Sequence, residues 1–151
     1  MPLTYRHATA ADLPFIVGLI VADSVVATGD DPAAADGPDY AAAFAAIDAD
    51  PNQELLVAEF DGTPVGTFQL TYIPGLQRRG MKRALVESVH VAPAQRNRGF
   101  GGEMMRWAAA RCRERGCGLM QLTSNKQRTD AHRFYRRLGF EQSHEGFKLL
   151  L

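Results

Sequence analysis

The sequence predicts an α/β (α+β) fold: a mixed, mostly antiparallel central sheet of about seven strands, with four helices on both of its faces. Three observations carry this expectation. Strand-like and helical periods alternate in the order β-α-α-β-β-β-α-β-α-β-β. Asp61-Gly62 and Pro74-Gly75 separate three successive strand runs, which makes those three an antiparallel meander. The last of them, Leu85 to Val91, is apolar apart from Glu87, Ser88 and His90, as suits a central strand covered on both faces. No repeat, linker or low-complexity tract interrupts residues 1–151, so a single domain is expected.

Each element has its own signal. Leu3 to Ala8 alternates and includes β-branched and aromatic members, which reads as the first strand. Thr9 and Asp12 form a T-x-x-D capping box ahead of a helix over Ala10 to about Ala27, striped by Leu13, Ile16, Val17 and Ile20. Gly, Pro and Asp make residues 28–38 a loop, and Pro38 opens a second helix to Ala49. Glu54 to Phe60 and Pro64 to Ile73 are the first two strands of the meander. The basic tip Gln77 to Arg83 then leads into the third. Tyr72 and Phe68 on the second strand are expected to border an acceptor pocket. A helix over about Gly99 to Arg115 turns Met104, Met105, Ala108, Ala109 and Cys112 inward and stops at Gly116. Gly118 to Thr123 is a strand, and Asp130 to Leu138 a helix with Ala131, Phe134, Tyr135 and Leu138 inward. Phe140 to His144 and Phe147 to Leu151 are expected to close the sheet as a hairpin.

Composition narrows the function classes. Of 151 residues, 46% are apolar and 23% charged, in the range of a globular protein. Seventeen basic side chains balance seventeen acidic ones. That balance argues against a general nucleic-acid or membrane binder, since both lean on surplus positive charge. The arginines concentrate between Arg78 and Arg137, which suits a small anionic ligand. Cys112 and Cys117 lack the C-x-x-C spacing and a second pair, so no metal site is expected and the thiols read as reduced. The polar N-terminus shows no signal peptide, and a cytoplasmic placement follows.

The chemistry concentrates between Leu85 and Arg106. A strand runs into Pro93, a short basic segment follows, and Gly99, Gly101 and Gly102 open a helix. The first turn of a helix has unpaired N–H groups and about half a positive charge, and glycines let that backbone approach an anion. Arg96 and Arg98 add formal charge at the same place, so the stretch reads as a pyrophosphate cradle. A dinucleotide-binding oxidoreductase would need a third glycine where Met104 stands, and an acid after the next strand, where Thr123-Ser124-Asn125 stands. No Gly-Lys-Ser/Thr occurs, which excludes a P-loop.

Three features together resemble one family, the GCN5-related N-acetyltransferases, whose GNAT fold binds acetyl-coenzyme A. Arg96-Asn97-Arg98-Gly99-Phe100-Gly101 matches its Q/R-x-x-G-x-G/A loop, with Pro93 just before it. Ala131-His132-Arg133-Phe134-Tyr135, followed by Leu138-Gly139-Phe140, is similar to its A-x-x-F-Y…L-G-F segment. Asn125 precedes that segment at a longer gap than the commonest form. The order of elements is the third feature and covers nearly the whole chain.

The resemblance implies a single N-acetyltransferase domain that moves acetyl from acetyl-coenzyme A to a primary amine of a small molecule by direct attack. Main-chain groups from Arg96, Asn97, Arg98, Gly99, Phe100, Gly101 and Gly102 would hold the pyrophosphate. Val89 and Val91 would pair with the pantetheine arm, and an amide near Val89 would polarise the thioester carbonyl. Asn125, with Ala131 and Phe134 from the second motif, would complete the coenzyme site. Tyr135 would protonate the departing thiolate, and Glu87 would be the base, with His90 the alternative. Strand alternation is expected to put Glu87 and His90 on opposite faces. A coenzyme-binding module or sensor, or acetylation of a protein amine, are the other readings. The apolar end Leu149-Leu150-Leu151 and the family habit favour a homodimer.

Overall fold

Asp61 and Gly62 both take left-handed backbone angles, φ +50° and +77°, the pattern of a two-residue hairpin turn. They fold β2 (Gln53–Phe60) back onto β3 (Thr63–Ile73). Arg78, Arg79 and Gly80 make a left-handed turn between β3 and β4 (Lys82–Val91). β1 (Thr4–His7) lies antiparallel on the outer side of β2, and β5 (Cys117–Gln121) lies parallel to β4. The sheet order is β1-β2-β3-β4-β5. The computed structural model describes residues 2–151, in two compact units, Met1–Gln121 and Leu122–Leu151.

The mixed α/β architecture is as expected, with five strands among the described residues in place of about seven. The missing two are the expected closing hairpin: residues 140–151 hold no strand. A strand's main chain needs a neighbour to pair with, whatever its side-chain pattern.

One face of the sheet carries α1 (Leu13–Asp23) and α2 (Pro38–Ala49). There Ala8, Ile16, Leu55 and Val57 form a buried cluster packed by Phe15, Ile20, Phe44 and Ile47. α1 is shorter than its periodicity suggested and ends at Asp23. The other face carries α3 (Phe100–Glu114), whose Phe100, Met104, Met105, Ala108 and Cys112 are buried. Trp107 of α3 stacks on Tyr5 at 4.5 Å between ring centroids and meets Phe68 edge-on at 5.9 Å.

This second face also buries a charge. Glu54 is 5% exposed, yet all of its near neighbours donate to it. Arg111 grips it with Nη2 at 2.6 Å and Nε at 3.0 Å, Tyr72 donates its hydroxyl, and His7 Nε2 stands at 3.1 Å. Burial by itself pushes the Glu54 carboxyl up; the hydrogen bonds from Arg111, Tyr72 and His7 outweigh it and hold the pKa at about 2. Tyr72 and Phe68 are therefore core residues, 1% and 0% exposed, and border no acceptor pocket. A cleft of about 340 Å³ beside Glu54 is lined by Phe44, Ile47, Arg111 and Arg115 and contains none of the predicted site residues. Its carboxylate and arginines are already spent on each other, which makes it a structural feature.

Candidate active site

β4 holds a bulge where the site was expected. Glu87 pairs with Gln69 and His90 with Thr67, so Ser88 and Val89 together face Phe68. Ser88 takes φ +50°, a left-handed conformation that costs a non-glycine residue on the order of 1 kcal/mol. Directly opposed residues in an antiparallel pair share a face, and Thr67 and Gln69, two apart, share one too. Glu87 and His90 therefore lie on the same face of the sheet, the one that carries α1. This corrects the expectation from simple alternation: the extra residue turns the strand by half a period between them.

The other edge of β4 offers free main chain. The parallel ladder between β4 and β5 runs from Lys82↔Cys117 to Leu85↔Gln121 and stops there. From Val86 to Val91, β4 carries no strand on that side among the described residues. Val89 sits in the bulge and Val91 at the strand's end, both on this open stretch.

Immediately downstream, Pro93–Gln95 makes a 3-10 turn, and Asn97 and Gly99 take left-handed angles, φ +63° and +80°. Nothing lies within 4 Å of a Cβ built on Gly99, so its glycine serves backbone conformation, not space. α3 starts at Phe100 with no side-chain cap, and its first main-chain bond is Glu103 N–H to the Gly99 carbonyl at 3.1 Å. The N–H groups of Phe100, Gly101 and Gly102 thus have no acceptor within the helix. The side chain of Phe100 is 4% exposed, against Phe60 at 5.4 Å, and anchors this helix start to the sheet. Arg98 lies over both rings at 4.7 to 4.8 Å. The residues present fit a pyrophosphate: uncapped donors at the positive end of a helix of 15 residues, with arginines beside them.

His90 Nδ1 stands 2.6 Å from Asp23 Oδ2 at the end of α1, and Asp23 Oδ1 accepts from Arg96 Nη2. Sequence reading missed Asp23, which lies 67 positions from His90 and carries no motif. Glu87 is exposed. Among the described residues, no group of three or more His, Cys, Asp or Glu is arranged to hold a metal ion, and no helix is long and apolar enough to cross a membrane. Cys112 and Cys117 are free thiols; burial pushes Cys112 up to about 11.

The second unit holds the other motif. α4 (Thr129–Arg137) ends in a paired cap: Gly139 N–H donates to the Arg136 carbonyl at 3.0 Å and Phe140 N–H to the Tyr135 carbonyl at 3.1 Å. Gly139 at φ +98° permits it. The ring of Tyr135 meets Phe140 edge-on at 5.6 Å and Phe134 at 5.1 Å. Leu138-Gly139-Phe140 is thus a helix terminator whose last residue packs on Tyr135. Ala131 and Phe134 are half-buried on the same helix. Asn125 Oδ1 accepts from Gln127 N–H at 2.9 Å, and its carbonyl accepts from Arg128 N–H at 3.0 Å.

The chain has relatives among known proteins. The description "Acetyltransferase (GNAT) family" belongs to the family profile that matches residues 25–140. The chain is 34% identical, over 94% of its length and 87% of the relative's, to an aminoalkylphosphonate N-acetyltransferase of Salmonella typhimurium. It is 41% identical to a solved structure described as a transcriptional regulator from Bacillus halodurans C-125, covering 99% and 100% of the two chains at a TM-score of 0.91. A structure from Clostridium acetobutylicum, described as a predicted acetyltransferase with acetyl-CoA, shares the fold at a TM-score of 0.70, with 17% identity and coverage of 99% and 96%.

Proposed function

The chain belongs to the acetyltransferase (GNAT) family, and from that premise we propose that this N-acetyltransferase moves acetyl from acetyl-coenzyme A to the primary amine of a small molecule. The observation that carries the reading is the uncapped, left-handed start of α3 directly after the bulged end of β4, which is paired on one edge only. Donors for a pyrophosphate and an open strand edge for an amide-bearing arm follow one another in the chain, as the two ends of coenzyme A require.

Acetyl-coenzyme A supplies an activated acetyl thioester. The chain's part is to bind and to move protons. Val89 and Val91 offer main chain to the pantetheine arm, and Arg96, Asn97, Arg98, Gly99, Phe100, Gly101 and Gly102 hold the pyrophosphate. Asn125, Ala131 and Phe134 are assigned to coenzyme binding with Tyr135. Glu87 and His90, on one face, supply the acceptor for the ammonium proton, and the Tyr135 hydroxyl donates to the departing sulfur. The relative's substrate class makes aminoalkylphosphonates the first acceptors to try. Release of free thiol from acetyl-coenzyme A across an amine panel tests the activity; no release with any amine, phosphonate or peptide would leave a coenzyme-holding module, for which the regulator description of the Bacillus protein speaks.

Gly102→Asp separates coenzyme binding from folding. A Cβ at position 102 meets only the flexible end of Arg106, at 3.3 Å. An aspartate in the first turn favours the helix, so stability should hold or rise by about 0.5 kcal/mol. The same charge repels a pyrophosphate, and acetyl-coenzyme A affinity should fall tenfold or more. Calorimetric titration reads it; unchanged affinity would remove the α3 start from the site.

The reading includes a homodimer in the cytoplasm. Phe147, Leu149, Leu150 and Leu151 are 93%, 84%, 95% and 115% exposed, more apolar surface than one short segment leaves in water without use. Light scattering should give twice the chain mass, and deletion of 147–151 should give the monomer. A monomeric full chain refutes the assignment.

A further inference from the structure

The two carboxylate oxygens of Asp23 serve different partners. Oδ2 meets His90 Nδ1 at 2.6 Å, and Oδ1 accepts from Arg96 Nη2, whose Nε reaches the Val91 carbonyl at 3.4 Å. Side-chain exposure is 13% for Asp23, 11% for His90 and 45% for Arg96. The histidine is almost enclosed and its carboxylate with it, whereas the arginine stands at the surface.

A carboxylate can only accept, so the neutral imidazole must carry its proton on Nδ1, and Nε2 keeps the lone pair. Without Asp23 either tautomer would be available, and half of the basic positions would be lost. The charged groups around His90 are Asp23 from α1, Glu87 on the same strand and face, and Arg96 from the segment after β4. β3 brings Thr67 and Gln69, which are uncharged. Arg96 is also part of the loop that opens α3. One residue therefore joins the carboxylate behind the imidazole, through its side chain, to the loop assigned to a pyrophosphate, through its main chain.

We propose that Asp23 is a positioning residue that holds His90 with Nε2 as the acceptor of the incoming amine's proton, and that Arg96 couples this pair to occupancy of the α3 N-terminus. The coupling rests on the acetyl-coenzyme A reading above. The proton leaves the substrate ammonium for Nε2, the nitrogen lone pair so freed attacks the thioester carbon, and the C–S bond breaks as the sulfur takes the Tyr135 proton. The second nitrogen proton returns to the Tyr135 oxygen through water, and the imidazolium gives its proton to water after each turnover. A pyrophosphate at the loop offers Arg96 a dianionic partner. Asp23, relieved of Arg96, then stabilises the imidazolium more strongly, so the base strengthens when the acyl donor is in place.

Nitrogen-15 NMR of histidine-labelled full-length protein tests both halves, with coenzyme A as the probe. In the wild type His90 should show the Nδ1–H tautomer, and Asp23→Asn should shift it toward Nε2–H. Coenzyme A should change the His90 Nδ1 signal in the wild type and leave it unchanged in Arg96→Gln. With acetyl-coenzyme A and an aminoalkylphosphonate, Asp23→Asn should lower kcat about tenfold. KM for acetyl-coenzyme A should not rise, because Arg96 is released toward the pyrophosphate, and Asp23→Glu should restore part of the rate. An Nε2–H tautomer in the wild type, or a kcat unmoved by Asp23→Asn, overturns the Asp23–His90 assignment. A His90 signal indifferent to bound coenzyme A overturns the role of Arg96. Failure of coenzyme A to bind by calorimetry overturns the acetyl-coenzyme A reading and the coupling with it, while the tautomer still decides the Asp23–His90 pair.

Discussion

Replacing Tyr135 with phenylalanine should lower kcat by about a hundredfold and leave acetyl-coenzyme A affinity nearly unchanged. The expectation follows from what holds the ring. Its neighbours in the second unit, Phe134 and Phe140, meet it edge-on, and the α4 cap beside it is made by main-chain bonds of Tyr135, Arg136, Gly139 and Phe140. Phenylalanine keeps these ring contacts and main-chain bonds and removes the hydroxyl, the proposed proton donor. A departing thiolate without a donor leaves as an anion, and the barrier to breaking the C–S bond rises. Steady-state kinetics with a calorimetric Kd gives the split. An unaltered kcat would remove Tyr135 from the chemistry, and a loss of affinity equal to the loss of rate would make it a binding residue.

Glu54→Ala should destabilise the fold by about 3 kcal/mol, the lower end of what breaking a buried pair costs, because Arg111 keeps 31% of its side-chain surface and some hydration. The Tyr72 hydroxyl, in contrast, is left in a side chain 1% exposed with its acceptor gone. For a chain of this size the melting temperature should drop on the order of 10 °C. Glu54→Gln tests the charge alone. The folded pKa, about 2, lies below the ordinary carboxylate value of about 4.5. The carboxylate's contribution is therefore fully present above that ordinary value and is lost as pH falls toward 2, amounting to about 3 kcal/mol across the window. Glu54→Gln should flatten the stability slope between about pH 4.5 and 2. It should not abolish the slope, because the Arg6 hydrogen bond to Asp12 also holds that carboxyl at about 2. Chemical denaturation at several pH values reads both effects; a slope identical to wild type would mean the network does not hold Glu54 ionised.

Much of the fold was legible because its signals are local. The left-handed hairpin at Asp61-Gly62, the helix opening at Gly99 and the terminator at Gly139 each depend on residues within one turn of the position concerned. The glycine-rich loop and the Tyr135 segment were legible for the same reason, as short stretches whose composition is demanded by their own backbone. The bulge was not: Ser88 is neither glycine nor proline, and nothing near it announces a left-handed angle. Its existence follows from how β3 and β4 must pair across a turn. The closing hairpin failed the other way, since alternation at 140–151 promises a strand that has no neighbour in the described chain.

The sequence by itself determined the order of elements, the strand that would be central, the helix start that offers anion donors and the family these imply. Tertiary structure decided which side chains meet. It put Glu87 and His90 on one face, brought Asp23 to His90 and Arg96, and turned Tyr72 and Glu54 into a buried network with Arg111. The physical reason is range. Helix periods, caps and turns are set by neighbours a few residues away, whereas strand register and ion pairing join segments 18 to 73 positions apart, whose meeting no local pattern encodes.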